Sequence, residues 1–207
     1  MNAFFHDPPL SVGLAVLAAY LVGLGVVLLR RRPLAVSGGL DGGLLAAALS
    51  GLVMAGPLAA VRPLLAAVPW NGPLLVIAYV VGVAGLLLLA RPRLVVYNCT
   101  VEQLRPLVVE AVAALDSAAR WAGESAALPT KNLQIHLDDR GLRAVSLVAV
   151  GGRPSLESWG ELCGSLRPAL RAMRVRPSLL GWMLLAAACL LLAVSLLMGL
   201  EDLPWRA

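Results

Sequence analysis

His136 and Asp138 stand two residues apart in the alternating run Leu133, Gln134, Ile135, His136, Leu137, Asp138. On one strand face an imidazole and a carboxylate could pass a proton or begin a metal site. Either role needs convergent partners, and no second His, Cys pair or Glu lies at ligand spacing. His136 is therefore expected to be a solvated strand residue. Asp138-Asp139 resembles a carboxylate pair, but adjacent strand residues face opposite ways, and Asp shortly before Gly141 is ordinary turn chemistry. Cys99, Cys163 and Cys189 make an odd count with no C-x-x-C. That pattern fits a reducing compartment and small buried hydrophobes rather than a zinc site or disulfide scaffold. Asn98-Cys99-Thr100 satisfies a glycosylation sequon, which is silent if the segment is cytoplasmic. Gly151-Gly152 lacks the Lys and the spacing of a phosphate loop. The residues assign no catalytic, cofactor-binding or metal-ligating group.

The elements that must carry these residues are dominated by apolar stretches. Leu10–Leu29, Gly42–Val61, Pro63–Ala90 and Pro177–Leu200 contain no charged residue. At ~1.5 Å per residue each can cross about 30 Å of hydrocarbon as a helix. The hydrophobic share of 59% and mean hydropathy of +0.83 lie outside the soluble globular range. Residues 1–93 are expected to form a membrane region with helices over about 10–30, 40–61 and 73–90. A cytoplasmic α+β domain over 94–175, a fourth helix over 177–200 and an outer tail over 201–207 follow. Within the spans no Asp, Glu, Lys or His lies away from a boundary, which argues against a carrier or intramembrane hydrolase acting alone.

The arginines set the orientation. Arg30-Arg31-Arg32 follow the first apolar stretch, the reverse of a cleaved signal peptide, so that stretch reads as an uncleaved anchor. Arg91 and Arg93 follow span three, and Arg171, Arg174 and Arg176 precede span four. Only Arg62 and Arg206 of the 17 Lys/Arg then fall outside. The positive-inside rule places both termini outside and residues 91–177 in the cytoplasm of a bacterial inner membrane. Arg30, Arg31, Arg32, Arg91, Arg93, Arg171, Arg174 and Arg176 are expected membrane-surface anchors. Trp70, Trp182 and Trp205 fall near span ends, where an amphipathic ring suits the headgroup layer.

Small residues recur every four positions in span two: Gly43, Ala47, Gly51, Ala55 and Ala59. Ala47, Gly51 and Ala55 are the expected helix-packing positions, meeting Ala15, Ala19 and Gly23 of span one or Ala78 and Gly82 of span three. Span four lacks such a ridge and is expected at the bundle rim. Pro57 should end or kink span two, with a short helix from Pro63 to Val68 beyond it.

In the insert, Leu94–Tyr97 is a β-prone run, and Thr100 with Gln103 forms a capping box. The helix it opens carries apolar residues at 3.6-residue period, although Pro106 predicts a kink or a later start. Leu133–Asp138 and Ala144–Val150 read as a hairpin, and Ala126–Leu128 as a further strand. Ser155 caps a helix with Trp159, Leu162, Cys163, Leu166, Leu170 and Met173 on one face. The order β-α-(β)-β-β-α predicts a small sheet covered on its apolar face by two helices.

The functional expectation is a non-enzymatic multi-pass membrane protein whose module contacts another protein or a second copy of itself. The alternative is an accessory subunit of a transporter or export complex. Membrane lipids are expected partners; nucleic acid is not, since Lys131 is the only lysine and no basic stripe with aromatics exists.

Overall fold

A computed structural model describes residues 10–65, 71–151 and 154–201, with the backbone alone at Arg62, Asn71 and Glu201. The chain divides into two compact units, residues 1–25 with 42–89 and 183–207, and residues 26–41 with 90–182.

Four helices are long and apolar enough to cross a membrane: α1 (Leu10–Leu29), α2 (Gly38–Ala55), α4 (Asn71–Leu89) and α7 (Leu179–Glu201). Each is apolar all round, as expected where every side faces hydrocarbon or another helix. Span two ends at Ala55, earlier than 61, because a turn at Gly56 and the missing N–H of Pro57 stop the ladder. The short helix beyond it, α3, runs over Pro57–Val61 and passes into a 3-10 turn at Arg62–Leu65, earlier than the expected Pro63–Val68. Residues 66–70, including Trp70, and the tail with Trp205 and Arg206 lie outside the described residues.

α1 and α2 touch backbone to backbone. A Cβ placed on Gly51 would lie 2.2 Å from the Gly13 Cα, so no side chain fits between them. Two hydroxyls add cross-helix bonds: Tyr79 donates to the Ala46 carbonyl at 2.5 Å and Ser195 to the Ser11 carbonyl at 2.7 Å. In α1, 22% of the apolar window is buried, against 11% in each of the other three. α1 is thus the most covered of the four, and α7 is no more of a rim element than α2 or α4.

The second unit is an α+β module. Six antiparallel strands run in the order β1-β2-β6-β5-β4-β3: β1 (Leu34–Ser37), β2 (Arg93–Tyr97), β3 (Arg120–Ala122), β4 (Ser125–Leu128), β5 (Leu133–Asp139) and β6 (Ala144–Val150). Two strands differ from expectation. β1 comes from the connection after Arg32 and pairs with β2, Val36 opposite Val95. Four residues are too few to show a period of two, so the free β2 edge supplies the reason for the strand. β3 pairs with β4 across a two-residue turn that needs Gly123, at φ +61°.

α5 (Val101–Leu115) and α6 (Leu156–Ala172) pack their apolar faces on one side of this sheet. Leu94, Leu147 and Leu137 stand side by side on β2, β6 and β5, each at most 3% exposed. Leu104, Val108, Leu162 and Leu166 close over them. The Gln103 side chain accepts from the Thr100 N–H at 3.3 Å, and the Ser155 hydroxyl accepts from the Ser158 N–H at 3.3 Å. Of the two outcomes expected at Pro106, a kink or a later start, the later start does not occur: α5 begins at Val101 and runs through Pro106 to Leu115. Pro106 and Glu102 are exposed, so water can satisfy the Glu102 carbonyl that loses its helical partner.

Candidate functional site

The sheet has a second face, opposite α5 and α6. Its rows follow from register: Tyr97 opposite Ala144, Val95 opposite Ser146 and Asp138, and Arg93 opposite Val148 and His136. Near β2 this face is occupied by the first turn of α2. A Cβ on Gly38 would lie 1.9 Å from the Arg93 Cγ, so glycine makes room for that side chain. Arg93 Nη2 donates to the Gly38 carbonyl at 3.4 Å and stands 3.8 Å from Asp41 Oδ2. Arg140 Nη1 is 3.7 Å from the same oxygen, and the Tyr97 hydroxyl donates to Asp41 Oδ1. Asp41 is mostly buried, and two guanidinium groups share its one carboxylate. Arg93 Nε and Ser146 Oγ are buried here without a partner.

Sequence reasoning missed this cluster. One signal was available, since Asp41 is the only acidic residue between Asp7 and Glu102 and opens an otherwise uncharged helix.

His136 stands opposite Ser125, whose hydroxyl lies 2.9 Å from its Nδ1. Asp138 is exposed on the same face, and Asp139 accepts from the Gly141 N–H at 2.9 Å as a turn carboxylate. A nucleophilic arrangement needs a base oriented by a third group, and among the described residues His136 has only the Ser125 hydroxyl as a side-chain partner. Among the described residues no three His, Cys, Asp or Glu side chains converge to hold a metal ion. Burial pushes the Cys99 thiol up to about 11, and burial likewise raises Cys163. Both stay protonated near neutral pH and are poor nucleophiles in the folded module. Asn98 of the sequon is fully buried at φ +59°, its amide donating to the Arg30 carbonyl at 2.6 Å. A folded module offers that side chain to no transferase.

The expected surface arginines divide. Arg30, Arg31, Arg32, Arg91, Arg171, Arg174 and Arg176 are exposed, while Arg93 is half-buried against Asp41. Of the expected packing residues, Gly51 meets Gly13, whereas Ala47 is exposed and Ala55 half-buried. Ala47 and Gly51 line an apolar groove of about 430 Å³ with Gly13, Met54, Leu75 and Tyr79.

No family model, curated protein or solved structure matches this chain.

Proposed function

We propose that this is a non-enzymatic multi-pass membrane protein of a bacterial inner membrane, whose α+β module binds a protein partner or a second copy. Both termini face outside and residues 91–177 face the cytoplasm, an orientation supported by fifteen of the 17 Lys/Arg on one side. The observation that carries the binding role is the asymmetry of the sheet. One face is filled by α5 and α6, while exposed Gln134 and Asp138 of β5 and Arg120 of β3 look the other way. A mixed-charge strand surface without a reactive pairing suits recognition.

The test is Gln134→Arg with Asp138→Arg, followed by pull-down from native membranes and mass spectrometry. Loss of co-purifying proteins with unchanged membrane fractionation supports the reading. An unchanged partner set sinks it, and a transporter among the partners would favour the accessory-subunit alternative. A phosphatase fused near position 130 should be inactive; activity would overturn the orientation.

A further inference from the structure

Two arginine clusters far apart in sequence meet at a single joint within the module unit. The Val175 N–H donates to the Arg31 carbonyl at 2.9 Å, and the Ser178 N–H to the Leu28 carbonyl at 3.1 Å. Asn98 reaches the Arg30 carbonyl from the sheet, so three segments are stapled together. Leu28, Pro33, Val175 and Ser178 are buried, which marks a built joint and not a chance crossing. Around it Arg30, Arg31, Arg32, Arg171, Arg174 and Arg176 are all exposed. Among the described residues none of the six has a carboxylate within salt-bridge distance; the described ion pairs engage Asp41 and Glu161 with other cations.

Six like charges held together by backbone bonds repel one another unless a counter-charge arrives from outside. The joint's place in the chain says which kind. α1 ends at Leu29 and α7 begins at Leu179, so both strands of the joint continue directly into apolar helices. An anion meeting the arginines there must tolerate hydrocarbon beside it. Guanidinium forks favour phosphate oxygens bidentately. A cluster drawn from two segments offers more charge than one phosphodiester can neutralise.

We propose that the joint of residues 28–32 and 171–178 is one binding site for an anionic phospholipid headgroup, with preference for a lipid carrying two phosphates. This rests on the membrane reading above but not on the protein-binding role. The experiment uses the full chain, delipidated in neutral detergent, with native mass spectrometry and titration. The probes are cardiolipin, phosphatidylglycerol, phosphatidylcholine and inorganic phosphate. One tightly held cardiolipin per chain is expected, with weaker phosphatidylglycerol, no phosphatidylcholine preference and no competition by millimolar phosphate. Arg174→Gln with Arg176→Gln should weaken cardiolipin roughly 30-fold, about fivefold per arginine. Arg31→Gln with Arg32→Gln should remove the same lipid, and it stands as the second test should the first variant not fold. Equal binding of phosphatidylcholine and cardiolipin overturns the site. So do two bound lipids, each lost with only one cluster, because they would be separate patches. A chain that holds cardiolipin yet captures no protein keeps this inference and sinks the binding role.

Discussion

The module and the apolar helices are held together by opposite means. In the module, α5 and α6 are amphipathic and large side chains vanish from the surface; Val108, Leu137 and Leu162 are each 0% exposed. In the apolar helices no face is preferred, and most Leu and Val side chains remain uncovered. Contacts that join those helices include a glycine-to-glycine approach and two hydroxyl-to-carbonyl bonds. The solvent explains the contrast. Water drives Leu137 inward at ~25 cal/mol per Å² of apolar area, whereas for helices in the membrane proposed above lipid is as apolar as leucine and leaves only packing and hydrogen bonds.

The largest test of that contrast is Leu137→Ala. It empties the β5 end of the Leu94–Leu147–Leu137 row and should destabilise the module by about 2–5 kcal/mol. Denaturant unfolding followed at Trp121 and Trp159, which pack against this core, measures it. A loss under about 1 kcal/mol would break the comparison from the module's side. Gly51→Val comes next. Its side chain must push α1 away from α2, at a cost of about 1–3 kcal/mol for overpacking. Ala47→Val, at an exposed position lining the groove, should change little. Equal effects of the two on thermal stability in detergent would show that the glycine contact carries no special weight.

Much of the module was legible because water imprints a period on its sequence. The alternation of Leu133, Ile135 and Leu137 marks β5, and Thr100 and Ser155 mark two helix starts. The short strands β1 and β3 were not legible, since their reason to exist lies in the neighbours that pair with them. Pro106 does not delay the start of α5, because a proline costs a helix less where solvent can take the orphaned carbonyl. The long apolar helices could be counted but not aligned. Gly51 stood out in a small-residue ridge, yet its partner Gly13 sits outside the Ala15, Ala19 and Gly23 series. With no polar face there is no pattern to say which side meets which. The Asp41 cluster was hidden because its arginines arrive from β2 and from the turn after β5.

A pH titration sharpens the comparison from the module's side. Asp116 is buried and accepts from the Thr130 N–H at 3.0 Å and the Ala118 N–H at 2.8 Å. The Thr130 hydrogen bonding, first, and that of Ala118 hold its carboxyl below the ordinary 3.8. A depressed folded value means the stabilisation is present above 3.8 and fades as pH falls through the lower folded value. Asp116→Asn should lower the melting temperature near neutrality and flatten the acid limb of the module's stability curve. Lys131 runs the other way. Its hydrogen bond to Glu161 at 2.8 Å raises its value above 10.5, so that contribution is lost only as pH climbs through the raised value. An acid limb unchanged by Asp116→Asn would remove this carboxylate from the account.

The smallest effect is the most discriminating for the apolar helices. Ser195 donates to the carbonyl of Ser11 in α1, whose lone pairs can also accept the ordinary helical bond. Ser195→Ala therefore leaves no orphaned acceptor and should cost only about 0.6 kcal/mol, the average for such bonds between helices in lipid. Tyr79→Phe, which removes the bond to Ala46, should behave alike. Thermal unfolding of the two single variants and their combination in one detergent measures both. Because the bonds join different helix pairs, the losses should add. A loss above about 2 kcal/mol from either would exceed what one neutral hydrogen bond supplies. It would mean that hydroxyls, rather than the Gly13–Gly51 approach, decide how these helices meet.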